Sequence, residues 1–546
     1  MGELGESLRE SGASLQRVFR NPGLRRVNIA FAGSNIGNWA FSVVISIYAF
    51  QHGGATVLGV VGVVRYVAMA VLGPIVSSLG DRFPRKWVMV CSDLVRAVIT
   101  AAATVIVAIN GPALVVYILA TLIAVAGTAF RPAQAAMLPA LASDPAELTA
   151  ANVASSTIES VGFFAGPALA ALLLAVANPP TVFAINAASF VWSASFVIGL
   201  RADTQPPVDD EKKSGMVAET FRGFATIGKD RDLRLLVALF FGQTVIAGAS
   251  LVFTVAVALP LLHLGRPGVG ELEAMTGIGG VAGGFLALTL AHRKRLSFDF
   301  GMGVILWSAP LLLVVAWPVF AAAIAMMIMI GVGNSLVDIN AFTVLQRVVP
   351  GAVMARVFGA LESLLIAGMA LGALLMPLFI ATVGLRTGLA IIGLAVVVPV
   401  LVGIPGLNRI DRTTLAPKKV TLIAASEILA PLGESVQEEL ARALIEVKVP
   451  AGETVIEEGM PGDRFYLIES GTAEVTVQGA VVNRYGPGDS FGEVALLRDV
   501  PRQATVRAVE DLTLYALERQ VFLDAVTGHN EANRLANVVV SRFLGG

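Results

Sequence analysis

The chain has 546 residues, of which 55% are hydrophobic and only 14% are charged, and its mean hydropathy is +0.76. These values lie far from those of soluble domains and predict a protein that crosses the lipid bilayer several times. The formal net charge of −1 gives no basic field of the kind that binds nucleic acid, so no nucleic-acid partner is expected.

Residues that build disulfides and metal sites are sparse. Cys91 is the only cysteine, which excludes an internal disulfide. The four histidines lack metal-ligand spacing: His52, His263, His292 and His529. The first ten residues, MGELGESLRE, lack the basic segment of a signal peptide. The sequence therefore predicts no metal and no cleaved leader.

Twelve apolar runs reach about 20 residues, the length that crosses a ~30 Å hydrocarbon core. The predicted spans, numbered 1 to 12, are 24–50, 55–80, 86–109, 113–137, 148–177, 181–200, 232–262, 270–291, 298–316, 318–346, 352–381 and 385–407. A long polar loop, 201–231, divides them six and six. We therefore expect an all-α membrane domain with transporter halves at 1–200 and 232–407.

Lys and Arg are concentrated in alternate loops, which predicts the orientation in the membrane. The basic side carries Arg82, Arg85, Lys86, Lys212, Lys213, Arg293, Lys294 and Arg295. The opposite side has only Arg266 and Arg386. By the positive-inside bias, both termini and the central loop are cytoplasmic, in a multi-pass protein of the plasma membrane.

The two halves repeat each other. RNPGLRRVNIAFAG (20–33) aligns with KDRDLRLLVALFFG (229–242), and TIES (157–160) aligns with ALES (360–363). Parallel repeats of six spans are typical of one class of secondary transporter.

The loop after span 2, GPIVSSLGDRFPRKW, resembles the D-R-x-x-R-K signature of the major facilitator superfamily through Asp81, Arg82, Arg85 and Lys86. Ser77 stands where that family usually has glycine. Residues 129–175 resemble the branch of siderophore exporters and macrolide efflux proteins. The resemblance implies export of a small amphiphilic substrate, and the lack of a G-x-x-x-x-G-K-[ST] motif argues against ATP as the energy source.

Insertion of a charged residue near the bilayer midplane costs a free energy of about 2.5 to 3.5 kcal/mol. Ionisable residues at this depth are therefore candidates for a function. Arg65 in span 2 and Glu362 in span 11 are predicted at similar depth. The family resemblance implies that these spans pack together, so the two residues form a candidate ion pair. Glu159 in span 5 is the repeat equivalent of Glu362 and faces no basic residue in span 8. It is either a proton-coupling carboxyl or one hydrogen-bonded to a neighbouring serine.

The family resemblance also implies that spans 1, 4, 7 and 10 line a central cavity. These spans carry Asn35, Asn38, Arg131, Gln134, Gln243, Asn334, Asp338 and Asn340. Arg131 and Asp338 lie near the cytoplasmic ends of spans 4 and 10. They either pair across the inner mouth as a gate or reach headgroups and water at the helix ends.

The hydrophobic pattern changes after Leu407. We predict a polar linker at 408–422 and a soluble domain at 423–546 that opens with an amphipathic helix. From about residue 449 the period becomes two, as in TAEVTVQ, with turns at PAGE, MPGD, ESGT and YGPGD. This pattern is typical of a small jelly roll, which makes the C-terminal domain α+β.

Four segments of this domain resemble a cyclic-nucleotide-binding domain: VPAGETVIEEG, GDRFYLIESG, GPGDSFGEVALL and PRQATV. A helix that opens at Gly492 directs free N–H groups at an anion, and Arg502 offers a guanidinium for a cyclic phosphate. The resemblance implies that Glu493 accepts a hydrogen bond from the ribose 2′-hydroxyl. The predicted binding set is Gly492, Glu493, Val494, Ala495, Arg502, Gln503, Ala504 and Thr505.

The identity of the regulatory ligand stays open between cAMP and cGMP, with cAMP favoured. Gln503 replaces the alanine, serine or threonine that the resemblance implies after the phosphate-binding arginine. A barrel that binds nothing and only docks a partner is the alternative for this domain. For the whole chain we expect a proton-coupled exporter regulated by a cyclic nucleotide. The alternatives are a sensor that transports little and, less favoured, an enzyme fused to a transporter.

Overall fold

A computed structural model describes residues 18–143, 145–200, 216–291, 295–349, 353–414 and 418–528, together with 532, 534–536 and 538. The chain divides into two compact units, Met1–Ile410 and Asp411–Gly546. The predicted basic residues Lys212, Lys213, Arg293 and Lys294, with His292 and His529, lie outside the described residues, as does the side chain of Asp81.

The first unit is helical. Its α-helices are α1 Pro22–Ser77, α2 Leu79–Arg82, α3 Arg85–Ala108, α4 Ala113–Gly127, α5 Phe130–Leu141, α6 Pro145–Val176, α7 Pro179–Ile198, α8 Met216–Lys229, α9 Arg231–Ala256, α10 Gly265–Ala291, α11 Leu296–Ser308, α12 Leu311–Ala316, α13 Phe320–Val348, α14 Met354–Val383 and α15 Leu385–Thr414. A π-helical turn, Val257–Leu261, extends α9.

Ten helical segments of the described chain are long and apolar enough to cross a membrane. Predicted spans 1 and 2 account for one difference from the expected twelve, because span 1 and all but the last three residues of span 2 lie within α1. The backbone of α1 leaves helical geometry at Gly53 and Gly54, and Gly54 adopts φ +64°. Predicted span 8 corresponds to α10, which is a helix but is not among the ten.

Helices of the two halves pack directly on each other. α14 contacts α1, and α10 contacts α6. The first contact depends on Gly59, where a Cβ atom would stand 2.5 Å from the carbonyl oxygen of Ala373 and 2.3 Å from Cγ of Pro377. Only glycine permits so close an approach of the two helices.

The second unit combines helices with two four-stranded antiparallel sheets. Its elements are α16 Lys418–Ala425, α17 Glu434–Ala443, β1 Ile445–Val449, β2 Thr454–Ile456, β3 Arg464–Ser470, β4 Ala473–Val477, β5 Ala480–Tyr485, β6 Ser490–Phe491, α18 Glu493–Arg498, β7 Thr505–Ala508, β8 Leu512–Glu518 and α19 Arg519–Thr527. The strand orders are β1-β8-β3-β6 and β2-β7-β4-β5. One core lies between the sheets, and a second packs the helices against β3 and β8. The period-two pattern thus correctly predicted a β domain.

The predicted linker 408–422 is largely helical. α15 continues through NRIDRTT to Thr414, and α16 begins at Lys418. Leu407 and Ile410, three residues apart on one helix face, are fully buried and hold α15 in helical form beyond the predicted end of span 12. The sequence did not reveal these two buried positions, because most of the residues that follow Leu407 are polar.

Candidate nucleotide-binding and transport sites

Arg502 lies in the interior of the second unit, with 3% of its surface exposed. Its Nη2 donates to the carbonyl oxygen of Arg464 at 2.8 Å and lies 3.3 Å from Oδ1 of Asp463. Its Nη1 donates to the carbonyl oxygen of Gly492 at 3.0 Å. These bonds hold the guanidinium in one orientation beside the start of α18, as recognition of an anion requires.

Glu493 begins α18 and is 4% exposed. Its Oε2 has no hydrogen-bond partner within the described chain. Burial raises the pKa of this carboxyl to about 7, against the opposing effects of its own backbone N–H and of the Arg502 charge. A buried acceptor without a donor is costly, so this oxygen is suited to accept from a ligand hydroxyl.

Gly492 permits the close packing of these two charged residues. It adopts φ +98°, in the left-handed region. A Cβ atom there would stand 2.7 Å from Nη1 of Arg502 and 3.0 Å from the carbonyl oxygen of Arg464. Any side chain at this position would therefore displace the guanidinium.

The other predicted residues surround this centre with different roles. Val494 and Ala495 belong to α18, and Ala495 is buried. Gln503 is exposed, and its Nε2 donates to the carbonyl oxygen of Pro501 at 2.7 Å. Ala504 packs against the inter-sheet core, and Oγ1 of Thr505 accepts from the backbone N–H of Glu458 at 3.0 Å. The structure therefore brings Gly492, Glu493, Ala495 and Arg502 together, whereas Gln503 and Thr505 bond elsewhere in the protein.

The sequence interpretation missed three residues of this site. Asp463 and Arg464, which hold Arg502, lie in the segment GDRFYLIESG, for which the sequence interpretation gave no role to either residue. Tyr485 ends β5, and burial together with the charge of Glu493 raises its pKa to about 12. Its ring stacks on Phe491, with centroids 6.1 Å apart. No local signal identified Tyr485, because its position depends on the pairing of β4 with β5.

Arg131 and Glu159 form an ion pair between α5 and α6. The two side chains are 41% and 53% exposed, so the pair borders open space. Nη1 of Arg131 also donates to Oε1 of Gln134 at 3.2 Å, and its guanidinium lies 4.8 Å from the ring centroid of Phe31. Glu159 thus has a basic partner where none was expected, and of the two alternatives for Arg131 the structure does not show the pair with Asp338. The partner was missed because it comes from the neighbouring span 4 instead of span 8.

The remaining polar candidates bond within one helix or to a neighbouring helix. Nδ2 of Asn334 donates to Oδ2 of Asp338 at 2.9 Å, one helical turn away. Nδ2 of Asn35 donates to the carbonyl oxygen of Ile158 at 3.2 Å, which ties α1 to α6. Asn38 is half-buried on α1. Gln134 is fully buried and lies 3.4 Å from Oγ of Ser155.

Arg65 and Glu362 do not form the predicted ion pair, although their helices pack together. Arg65 lines a small cavity that includes Ser46 and Thr121, whereas Glu362 is exposed. Gly59 lies against Pro377 and Gly62 against Ala373, so the helices run antiparallel and Arg65 is level with residue 370. Eight residues, about 12 Å, therefore separate the two side chains along the axis. Depths counted from the predicted helix ends placed them too close.

Residues 27–364 match the family profile described as Major Facilitator Superfamily. This chain is a member of the Major Facilitator Superfamily. Residues 446–529 of this superfamily member match a second profile, described as cyclic nucleotide-binding domain. The resemblance drawn from the DRFPRK loop is thereby confirmed at the level of the superfamily, and the second match contains Glu493 and Arg502.

Two curated relatives resemble the C-terminal domain of this superfamily member. The cAMP-dependent protein kinase regulatory subunit of Yarrowia lipolytica is 48% identical over 111 residues, which is 19% of this chain and 30% of the relative. That of Emericella nidulans is 46% identical over 97 residues, 17% of this chain and 24% of the relative. The chain thus spans less than a third of the length of either. A solved regulatory domain of Toxoplasma gondii PKA with cAMP is 33% identical, covers 20% of this chain and 43% of that one, and has a TM-score of 0.19.

The signature loop of this superfamily member is anchored to two neighbouring segments. Nη1 of Arg85 donates to the carbonyl oxygen of Ala136 at 2.7 Å, and Nζ of Lys86 donates to that of Leu200 at 2.7 Å. Arg82 is exposed and makes no hydrogen bond or ion pair with a described residue. Behind the loop, Asp93 and Arg96, three residues apart on α3, form a buried ion pair.

Proposed function

We propose that this protein is a secondary active transporter that exports small amphiphilic molecules and is regulated by a cyclic nucleotide. We further propose twelve membrane crossings in two parallel sets of six, with α1 divided at Gly53 and Gly54 and with α10 as the eighth crossing. Both termini lie in the cytoplasm, and the protein resides in the plasma membrane. The superfamily match, the apolar helices and the contacts between the halves support this arrangement.

The observation that carries the regulatory part is the buried Oε2 of Glu493, which lacks a donor beside the fixed guanidinium of Arg502. A cyclic nucleotide offers both complements, since its ribose 2′-hydroxyl donates a hydrogen bond and its cyclic phosphate carries a negative charge. The names of the kinase relatives favour cAMP over cGMP. The residues present therefore fit the nucleotide, which supplies an anion and a hydroxyl and undergoes no reaction.

Glu159 is the proposed proton-coupling group of the membrane domain, where a proton would compete with Arg131 for its carboxylate. A proton on Glu159 cancels its charge and frees Arg131, which changes the electrostatics of an exposed polar site by one unit. The paired carboxylate and the protonated carboxyl are two states that transport can alternate between. This exchange needs no ATP, in agreement with the sequence.

Binding of radiolabelled cAMP to the full chain in lipid nanodiscs tests the nucleotide site. Arg502→Ala should weaken binding by at least about 100-fold, because a charge-assisted bidentate contact in a buried site is worth about 3 kcal/mol or more. Arg484→Ala is the matched control, since Arg484 is 66% exposed and pairs with Glu474 on the surface. Equal affinity in the wild type and Arg502→Ala would refute the site.

A further inference from the structure

An apolar groove of about 620 Å³ lies among α1, α3 and α4, within the range of volumes that bind small molecules. Its lining includes Leu79, Phe83, Trp87, Cys91, Val95 and Leu122. Neither Arg131 nor Glu159 lines it, so it is separate from the polar transport candidates. Oγ of Ser92, which also lines the groove, donates to the carbonyl oxygen of Ala126 at 2.8 Å. The groove thus suits a hydrocarbon occupant.

The groove has the length and position of one membrane leaflet. Along α3 it extends from Pro84 to Ile99, about 22 Å at 1.5 Å per residue, which is about half of a bilayer of ~40–45 Å including its headgroup regions. Phe83 and Trp87 are 54% and 48% exposed, so its flank is open. In a membrane-spanning helix bundle, such an open apolar flank faces lipid.

Basic residues occupy one end of this groove. Arg82 lies between the lining residues Leu79 and Phe83, and its exposed guanidinium has no partner among the described residues. The ammonium of Lys86 stands 5.5 Å from the ring centroid of Trp87. A tryptophan beside basic residues is typical of the headgroup level of a membrane, where Lys and Arg attract anionic lipids.

We propose that this groove binds an acyl chain of an anionic phospholipid, whose headgroup contacts Arg82. The inference rests on the proposed function in two respects only: the helices cross the membrane, and the DRFPRK loop lies on its cytoplasmic side. The lipid comes from the cytoplasmic leaflet, which carries the anionic headgroups. Its binding places membrane charge next to the loop whose other basic residues, Arg85 and Lys86, are anchored to the protein.

Cys91 provides the test, because it is the only thiol of the chain and it lines the groove. The full chain is placed in nanodiscs of phosphatidylcholine alone or mixed with phosphatidylglycerol, and alkylation of Cys91 by uncharged N-ethylmaleimide is timed. Phosphatidylglycerol should slow the alkylation. Arg82→Ala should reduce this protection roughly fivefold, the effect of one basic side chain at an anionic surface. Arg266→Ala, which removes an exposed arginine remote from the groove, should retain the protection.

A second measurement needs no variant. Native mass spectrometry should show that protein alkylated at Cys91 retains one phosphatidylglycerol fewer than unmodified protein. Equal alkylation rates in both lipids, or equal protection in Arg82→Ala and the wild type, would overturn the proposal. Protection by an amphiphilic substrate but not by phosphatidylglycerol would reassign the groove to substrate and overturn it as well. Neither readout involves cAMP or flux, so failure here is distinct from failure of the proposed function.

Discussion

At the scale of single residues, two buried charged groups and one exposed ion pair carry most of the functional argument. Glu493 and Arg502 are each more than nine-tenths buried, yet one carboxylate oxygen has no donor. Arg502, by contrast, is held by backbone carbonyl oxygens on both sides. The fixed guanidinium of Arg502 and the free acceptor Oε2 of Glu493 together form a preorganised site for a ligand that carries an anionic group and a hydroxyl group.

The raised pKa of Glu493 predicts how cAMP affinity depends on pH. A carboxylate accepts a hydrogen bond from the 2′-hydroxyl better than a neutral carboxyl does, so binding favours the ionised form. Because the pKa without ligand is about 7, affinity should be constant above that pH and fall below it, roughly tenfold per pH unit at most. Titration calorimetry of the full chain between pH 6 and 8, each about one unit from the cited pKa, measures this slope.

Glu493→Gln supplies the control for this pH dependence. Its amide does not titrate, so the variant should bind cAMP more weakly and with the same affinity at both ends of the range. A wild-type affinity that does not change with pH, or a slope that persists in Glu493→Gln, would assign the titration elsewhere.

The Arg131–Glu159 pair predicts a separation of accumulation from exchange. Glu159→Gln cannot gain or lose a proton, so accumulation driven by an imposed pH gradient should disappear, while exchange of substrate across the membrane continues. The exposed Arg131 tolerates the loss of its partner, since exposed pairs contribute little to stability. Glu271→Gln removes an exposed carboxylate in the second turn of α10 and should accumulate substrate normally. Wild-type accumulation in Glu159→Gln proteoliposomes would exclude Glu159 as the coupling group.

At the scale of elements, the short helix α18 and the turn before it position the nucleotide site. Gly492→Ala should weaken cAMP binding by about tenfold or more, because a left-handed alanine costs about 1 to 2 kcal/mol and its Cβ would displace Arg502. Gly486→Ala is the control, since a Cβ there meets no atom within 4 Å. Binding to the full chain measures both, and an unaffected Gly492→Ala protein would contradict the described packing.

The sequence predicted elements well where a physical period extends over many residues. Apolar runs located the membrane helices, and period-two alternation located β4, because burial of one face imposes both patterns. Contacts set by three-dimensional register were not predictable. The partner of Glu159 required the relative rotation of α5 and α6, and the separation of Arg65 from Glu362 required the register of α1 against α14. The helical course of α15 to Thr414 was missed because its buried residues are sparse among polar ones.

At the scale of the whole molecule, one chain joins a transporter domain to a domain with a nucleotide-binding profile. α15 begins in the first compact unit and ends in the second, since the boundary lies between Ile410 and Asp411. Regulation requires that the nucleotide binds two transport states with different affinity, and a typical coupling of about 1 to 3 kcal/mol changes their ratio five- to 150-fold.

Substrate flux with and without saturating cAMP tests this account most directly. The full chain in proteoliposomes is assayed over a panel of amphiphilic compounds, with cAMP on the side of the C-terminal domain, for the wild type and for Arg502→Ala. We predict that cAMP changes wild-type flux at least about fivefold and leaves Arg502→Ala flux unchanged. Identical wild-type flux with and without cAMP that is shown to be bound would contradict cyclic-nucleotide regulation of transport.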